Sequence, residues 1–195
     1  MIGTRPTIPA DRYRERMAAA QALATEAGLA AILVGVGPDL RYLTGYPAMP
    51  SERLTMLVIP ATGEQVLVAP VLEATPARSC PPAAADLLRV VTWAEADDAH
   101  WLVASMLRDA EGGSSAAPSG DLRIAVSDDL PARHLLRLSE RLPGARLKLA
   151  SPILGRLRIV KDAGFTDLTI AKEKPYSLEK DVPFGLESIT LTAEK

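Results

Sequence analysis

The chain has 195 residues, 48% of them hydrophobic, with mean hydropathy +0.10, enough for one ordinary globular domain with a real core. With 22 basic and 24 acidic residues, the net charge is −2 and the pI about 5.8, so nothing electrostatic favours nucleic acid or an anionic lipid surface. A lone cysteine, Cys80, excludes an internal disulfide and a thiolate metal cluster.

No apolar run approaches the roughly 20 residues that span a bilayer. The charged N-terminus lacks the apolar core of a secretory signal, so no membrane partner and a cytoplasmic setting are expected. Residues 10–27 read as a helix: Tyr13, Met17, Ala20, Ala24 and Ala27 recur at three- and four-residue spacing, giving one apolar stripe. Pro9 suits the first turn and Gly28 the left-handed position that ends it. Ala31 to Val36 is a short Ile/Val-rich run, as in a strand covered on both faces. Gly35, Gly37 and Pro38 break it. Asp39 is placed to cap a turn, Leu40 to Leu43, which Thr44-Gly45-Tyr46-Pro47 closes.

Leu54–Ile59 and Gln65–Ala69 flank Pro60-Ala61-Thr62-Gly63-Glu64, a hairpin pattern. Val71–Ser79 is expected to be helical, with Cys80-Pro81-Pro82 as a break. Leu88–Trp93 reads as a strand. A helix is expected from Asp97 or Asp98 to about Glu111, with Trp101, Leu102, Ser105 and Met106 on one side. Residues 112–120, GGSSAAPSG, form a flexible loop. A strand at Leu122–Val126 and a helix Leu130–Arg141, capped by Asp128 or Asp129 with Pro131 in its first turn, follow. Pro143-Gly144 turns the chain into a last strand, Arg146–Leu149. Ser151 caps a final short helix to about Lys161. Alternating strands and helices with one hairpin predict a three-layer α/β domain with a mixed sheet.

The run "GLAAILV", a Gly/Pro break, "DLRYLTGY" and then a hairpin resembles the N-terminal domain of the creatinase, prolidase and Xaa-Pro aminopeptidase family; "RYLTGY" is its most specific part. Ala150 to Lys161, "ASPILGRLRIVK", resembles the segment joining that domain to a metal-binding catalytic domain. The resemblance covers about residues 10 to 163. It implies a ribonuclease-H-like fold, and a parent reaction of metal-assisted hydrolysis before proline. In the family two divalent metal ions are held by two Asp, one His and two Glu of the catalytic domain, which this sequence does not contain. The chain is therefore expected to be non-catalytic, without cofactor or metal site of its own. It would serve assembly and substrate-end recognition, with a second copy (a dimer) or a family catalytic domain as partner and short proline-containing peptides as the parent's substrates.

In the family the loop after the first strand can reach the catalytic pocket. Here it carries Arg41, Tyr42, Tyr46 and Pro47. Arg offers a forked donor for a peptide carboxylate and Tyr a flat surface for proline. The alternative is that Tyr42 and Leu43 pack in the core while Arg41 is solvated. His100 and His134 each fall on an expected helix without an acidic partner at i±4, outside any H-E-x-x-H pattern, and read as exposed or half-buried side chains. Asp97-Asp98 and Asp128-Asp129 diverge as neighbours and read as helix caps. The ribonuclease-H-like label does not bring nuclease chemistry, because the strands are apolar. Ser51, Ser105 and Ser139 lie outside G-x-S-x-G. Gly35-Val36-Gly37 lacks the third glycine of a dinucleotide loop.

All 16 arginines lie at or before Arg158, whereas four of six lysines and both phenylalanines follow Gly164. Residues 164–195 are thus expected to be an atypical tail of foreign origin, from a truncation, rearrangement or frameshift, the alternative being an ordinary divergent terminus; weak order is expected there, though Leu178, Val182, Phe184, Leu186, Ile189 and Leu191 could pair as a strand. Two further functions stay open: a stand-alone interaction module, and a nucleotide or small-molecule binder using the Gly35–Pro38 turn.

Overall fold

A computed structural model describes residues 7–110, 122–157, 166–176 and 186–194. In chain order the first body, which ends at Leu154, contains α1 (Ala10–Glu26), β1 (Ala31–Gly35), α2 (Pro38–Thr44), β2 (Met56–Pro60), β3 (Val66–Pro70), a single 3₁₀ turn (Val71–Glu73), α3 (Ala74–Arg78), α4 (Pro81–Ala84), β4 (Arg89–Trp93), α5 (Ala99–Ala110), β5 (Arg123–Val126), α6 (Ala132–Arg141), β6 (Arg146–Leu149) and the first residues of α7 (Ser151–Leu157). Six strands form one mixed sheet in the order β4-β3-β2-β1-β5-β6. The β1–β2 and β2–β3 pairs are antiparallel, and the other three are parallel. Helices cover both faces, so the expected three-layer α/β architecture with a mixed sheet is the one observed.

The central strands are buried on both sides, which explains their unbroken apolar spelling. Every residue of β1, β2 and β3 is buried. Alternation then divides the side chains between two cores. Ala31, Leu33, Met56, Val58, Val66, Val68, Ile124 and Val126 join Val103, Ala104, Leu107, Leu138 and Leu142 under α5 and α6. On the other face α1 packs on β1 and β2, and α2 on β1, with Tyr13, Met17, Ala20 and Ala24 as the buried stripe of α1.

Helix α1 ends as its sequence requires. Gly28 has φ +60, and two bonds, Gly28 N–H to Thr25 O at 3.0 Å and Leu29 N–H to Ala24 O at 2.9 Å, close a Schellman motif. The Gln21 amide then bonds Pro60 O at 2.8 Å and Gly63 O at 2.9 Å, tying α1 to the β2–β3 hairpin.

Several expected helix starts fall elsewhere. Asp39 does not cap α2: Pro38 is its first residue, preceded by Gly37, so Asp39 lies inside the first turn. Pro81-Pro82 opens the short helix α4, because Pro fits a first helical turn as well as it breaks a later one. The helix of residues 130–141 begins at Ala132 after an extended Pro131 with no side-chain cap; Leu130 N–H closes back on Ser127 O at 3.1 Å instead. Asp128 accepts the Ser151 N–H at 3.0 Å, so the carboxylate expected to cap α6 meets the start of α7. Ser151 is within α7, and Ala150 O accepts the first bonds. Helix α5 turns Val103, Ala104 and Leu107 inward, while Trp101 is 54% exposed; the expected stripe of Trp101, Leu102, Ser105 and Met106 is centred about half a turn away.

The expected loop at 112–120, the helix end at 158–161 and the tail residues Leu178, Val182 and Phe184 lie outside the described residues. Residues 155–195 form a second unit. In it β7 (Thr166–Tyr176) and β8 (Leu186–Glu194) pair antiparallel, with register shifts between Thr166 and Thr169 and between Ile170 and Lys172.

Candidate functional site

Strand β1 delivers the chain to a turn that α2 continues. Arg41 and Pro47 are exposed, Tyr42 is half-buried, and Tyr46 is buried. The two tyrosines are held from behind. The Arg16 guanidinium of α1 lies 4.2 Å from the centre of the Tyr42 ring and donates to Tyr42 O at 2.8 Å, a cation–π contact backed by a hydrogen bond. The Tyr46 hydroxyl donates to Glu73 Oε2 at 2.6 Å; burial first, and then the Glu73 carboxylate, push that hydroxyl far above its ordinary pKa. Gly45, with φ +72, makes the turn between them, and a Cβ there would stand 2.9 Å from the Tyr13 ring. Thus Tyr42 and Tyr46 fix the loop, Leu43 enters the core, and Arg41 and Pro47 reach solvent.

The Gly35–Pro38 turn is filled rather than open. Gly35 N–H donates to Ser127 Oγ at 2.9 Å. A Cβ on Gly35 would meet Leu130 Cδ1 at 2.8 Å, and one on Gly37 would meet Asp129 Oδ2 at 2.6 Å. A phosphate loop needs inward-facing N–H donors; here a carboxylate occupies the approach, which opposes an anionic nucleotide.

A second locus was not visible along the sequence. His100 and His134, expected to be exposed or half-buried, are each only 5% exposed. Their rings are stacked with centroids 5.3 Å apart, and His100 Nε2 lies 3.1 Å from His134 Nδ1. Burial lowers the His100 pKa, with Arg137 the next cause. Burial and then His100 itself bring His134 to about 4. Helices α5 and α6 pack together here, so each ring meets the other across the helix pair and is buried with a polar partner instead of standing exposed. The hint was positional: His100 is in frame with Val103, Ala104 and Leu107, and His134 with Leu138, all of them buried.

Beside this pair is a cleft of about 300 Å³ bordered by Trp93, Asp97, His100, Arg137, Glu140 and Arg141, among others. Asp98 caps α5 as expected, accepting N–H bonds from His100 at 3.0 Å and Trp101 at 2.9 Å, and meets Arg141 Nη2 at 2.6 Å. The Trp101 amide, aided by Arg141, holds its carboxyl below the usual range. Asp97 accepts the Ala94 N–H at 2.7 Å. Among the described residues no three His, Cys, Asp or Glu side chains gather closely enough to hold a metal ion.

The chain matches the family Creatinase/Prolidase N-terminal domain over residues 16–160. It is 42% identical over 154 residues to the probable dipeptidase PepE of Mycobacterium tuberculosis (strain ATCC 25618 / H37Rv), a match covering 78% of this chain and 38% of the relative. The crystal structure of dipeptidase PepE from Mycobacterium ulcerans superposes with TM-score 0.68 at 41% identity, covering 82% of this chain and 40% of that one. The N-terminal domain of Xaa-Pro dipeptidase from Lactobacillus brevis shares the fold, with TM-score 0.60 at 15% identity, over 72% of this chain and 98% of that one. This chain therefore spans about two fifths of the length of its dipeptidase relatives. Among the described residues no helix is long and apolar enough to cross a membrane.

Proposed function

The chain belongs to the creatinase/prolidase N-terminal domain family, and from that premise we propose that it acts as the non-catalytic N-terminal part of a dipeptidase of the Xaa-Pro type, serving assembly and recognition of the substrate's end. The observation that carries this reading is the braced loop after β1. Arg16 under Tyr42 and Glu73 on Tyr46 hold the backbone, while Arg41 and Pro47 remain exposed. A guanidinium held on a stiff turn can grip a peptide carboxylate with little loss of freedom.

Met49, Val71 and Leu72 are 76%, 52% and 73% exposed, and they flank the Tyr46–Glu73 link in sequence. Apolar side chains left in water beside that loop suit burial against a catalytic domain or a second copy.

The test is direct. The full chain, given manganese, cobalt or zinc, leaves Xaa-Pro dipeptides intact. In the same sample an Xaa-Pro dipeptide shifts the amide NMR signals of residues 41–46, and Arg41→Ala abolishes that shift. Turnover above a metal-only blank would overturn the non-catalytic role; unmoved signals would overturn the recognition role.

A further inference from the structure

We propose that His100 and His134 form an acid-sensitive clasp between α5 and α6, closed while both rings are neutral and released as protons are added. The contact joins two helices that are also linked at their exposed edge by Asp98 to Arg141 at 2.6 Å and by Arg108 Nη2 to Arg141 O at 2.7 Å, and it is 3.1 Å long between two buried ring nitrogens. In the neutral pair one ring donates its N–H to the lone pair of the other. A first added proton places a cation in a site shielded from water. A second sets N–H against N–H across the same gap, and the hydrogen bond is gone.

The surrounding charges make the two rings unequal. Toward His100 face Asp98, with its Oδ1 3.9 Å from Nδ1, and from α6 Arg137, Glu140 and Arg141. Glu52 and Asp97 border the same cleft. Asp98 and Glu140 favour a proton on His100, whereas Arg137 and Arg141 oppose it. Around His134 the charges that act are all unfavourable to a proton: His100 from α5, and Arg133 and Arg137 from its own helix. His134 is therefore the ring whose protonation costs the fold most.

The sign follows. Unfolded histidine titrates near 6.5, and folded His134 at about 4. Between those values the unfolded chain binds the extra proton, so the clasp's stability is present above pH about 6.5 and is lost as pH falls toward 4.

The experiment follows the histidine ring signals of the full chain by NMR from pH 7.5 to 4, alongside urea unfolding of the unmodified chain and of His134→Gln. The expected midpoint for His134 is near 4, with His100 below 6.5. The folding constant of the unmodified chain should fall roughly 40-fold more than that of the variant between pH 6.5 and 4.5, the linkage expected when unfolded His134 titrates near 6.5 and folded His134 at about 4. A His134 midpoint at 6.5 or above would overturn the clasp, as would the same pH slope in both proteins. If His134→Gln does not fold, the ring titration of the unmodified chain decides alone.

Discussion

The two helical layers bury polar groups in different ways. In the layer of α1 and α2 the buried Thr44 satisfies itself locally, its hydroxyl bonding Leu40 O at 2.7 Å, four residues back. In the layer of α5 and α6 the buried His100 and His134 satisfy one another across 34 residues of chain. A locally closed bond survives as long as its helix does. A bond closed between helices depends on their packing, and on the charge state of both partners. The second layer is accordingly the one through which pH can act on the fold.

Adjacent residues of β1 sharpen this contrast most. Ile32, opposite Ile59, and Leu33, opposite Val58, point to opposite layers, and both are fully buried. Ile32→Ala and Leu33→Ala should each cost about 2–5 kcal/mol in urea unfolding at pH 7. A loss under about 1 kcal/mol for either would mean that its layer is not packed as described.

Gly45→Ala probes the first layer's turn. The left-handed backbone and the Tyr13 ring at 2.9 Å should together cost about 1–3 kcal/mol, read as a lowered Tm. An unchanged Tm would show that the turn relaxes freely. Asp98→Ala probes the start of the second layer and should cost about 1 kcal/mol, the usual worth of an N-cap. Because the Asp98 carboxyl is held below its ordinary range, that stability is present above pH about 4, the unfolded value, and is lost as pH falls through the folded one. The gap between the two proteins should narrow in acid; a constant gap would point to packing instead of capping.

Much of this was legible along the chain, for physical reasons. Strands covered on both faces are spelled in unbroken apolar residues, so β1, β2, β3 and β5 stood out. Gly28 marked the end of α1 because few residues accept its backbone. The wording around Arg41 to Tyr46 pointed to the family whose model matches residues 16–160. Helix starts were less legible. Asp39, Asp128 and Asp129 all precede or open helical patterns, yet only Asp98 caps one, because a carboxylate takes whichever N–H donor the tertiary fold brings nearest. For Asp128 that donor is Ser151 N–H, 23 residues away.

Periodicity and local backbone preference are properties of neighbouring residues, so the amino-acid order alone determined the alternating α/β pattern, the mixed sheet and the loop that follows the first strand. Partnership between distant residues is not such a property. Only the packing of α5 against α6 decided that two histidines without local partners would meet, and only the seating of α1 and Glu73 decided that Tyr42 and Tyr46 would brace their loop while Arg41 faces solvent. Burial makes each such contact matter, and burial is settled by the assembled fold.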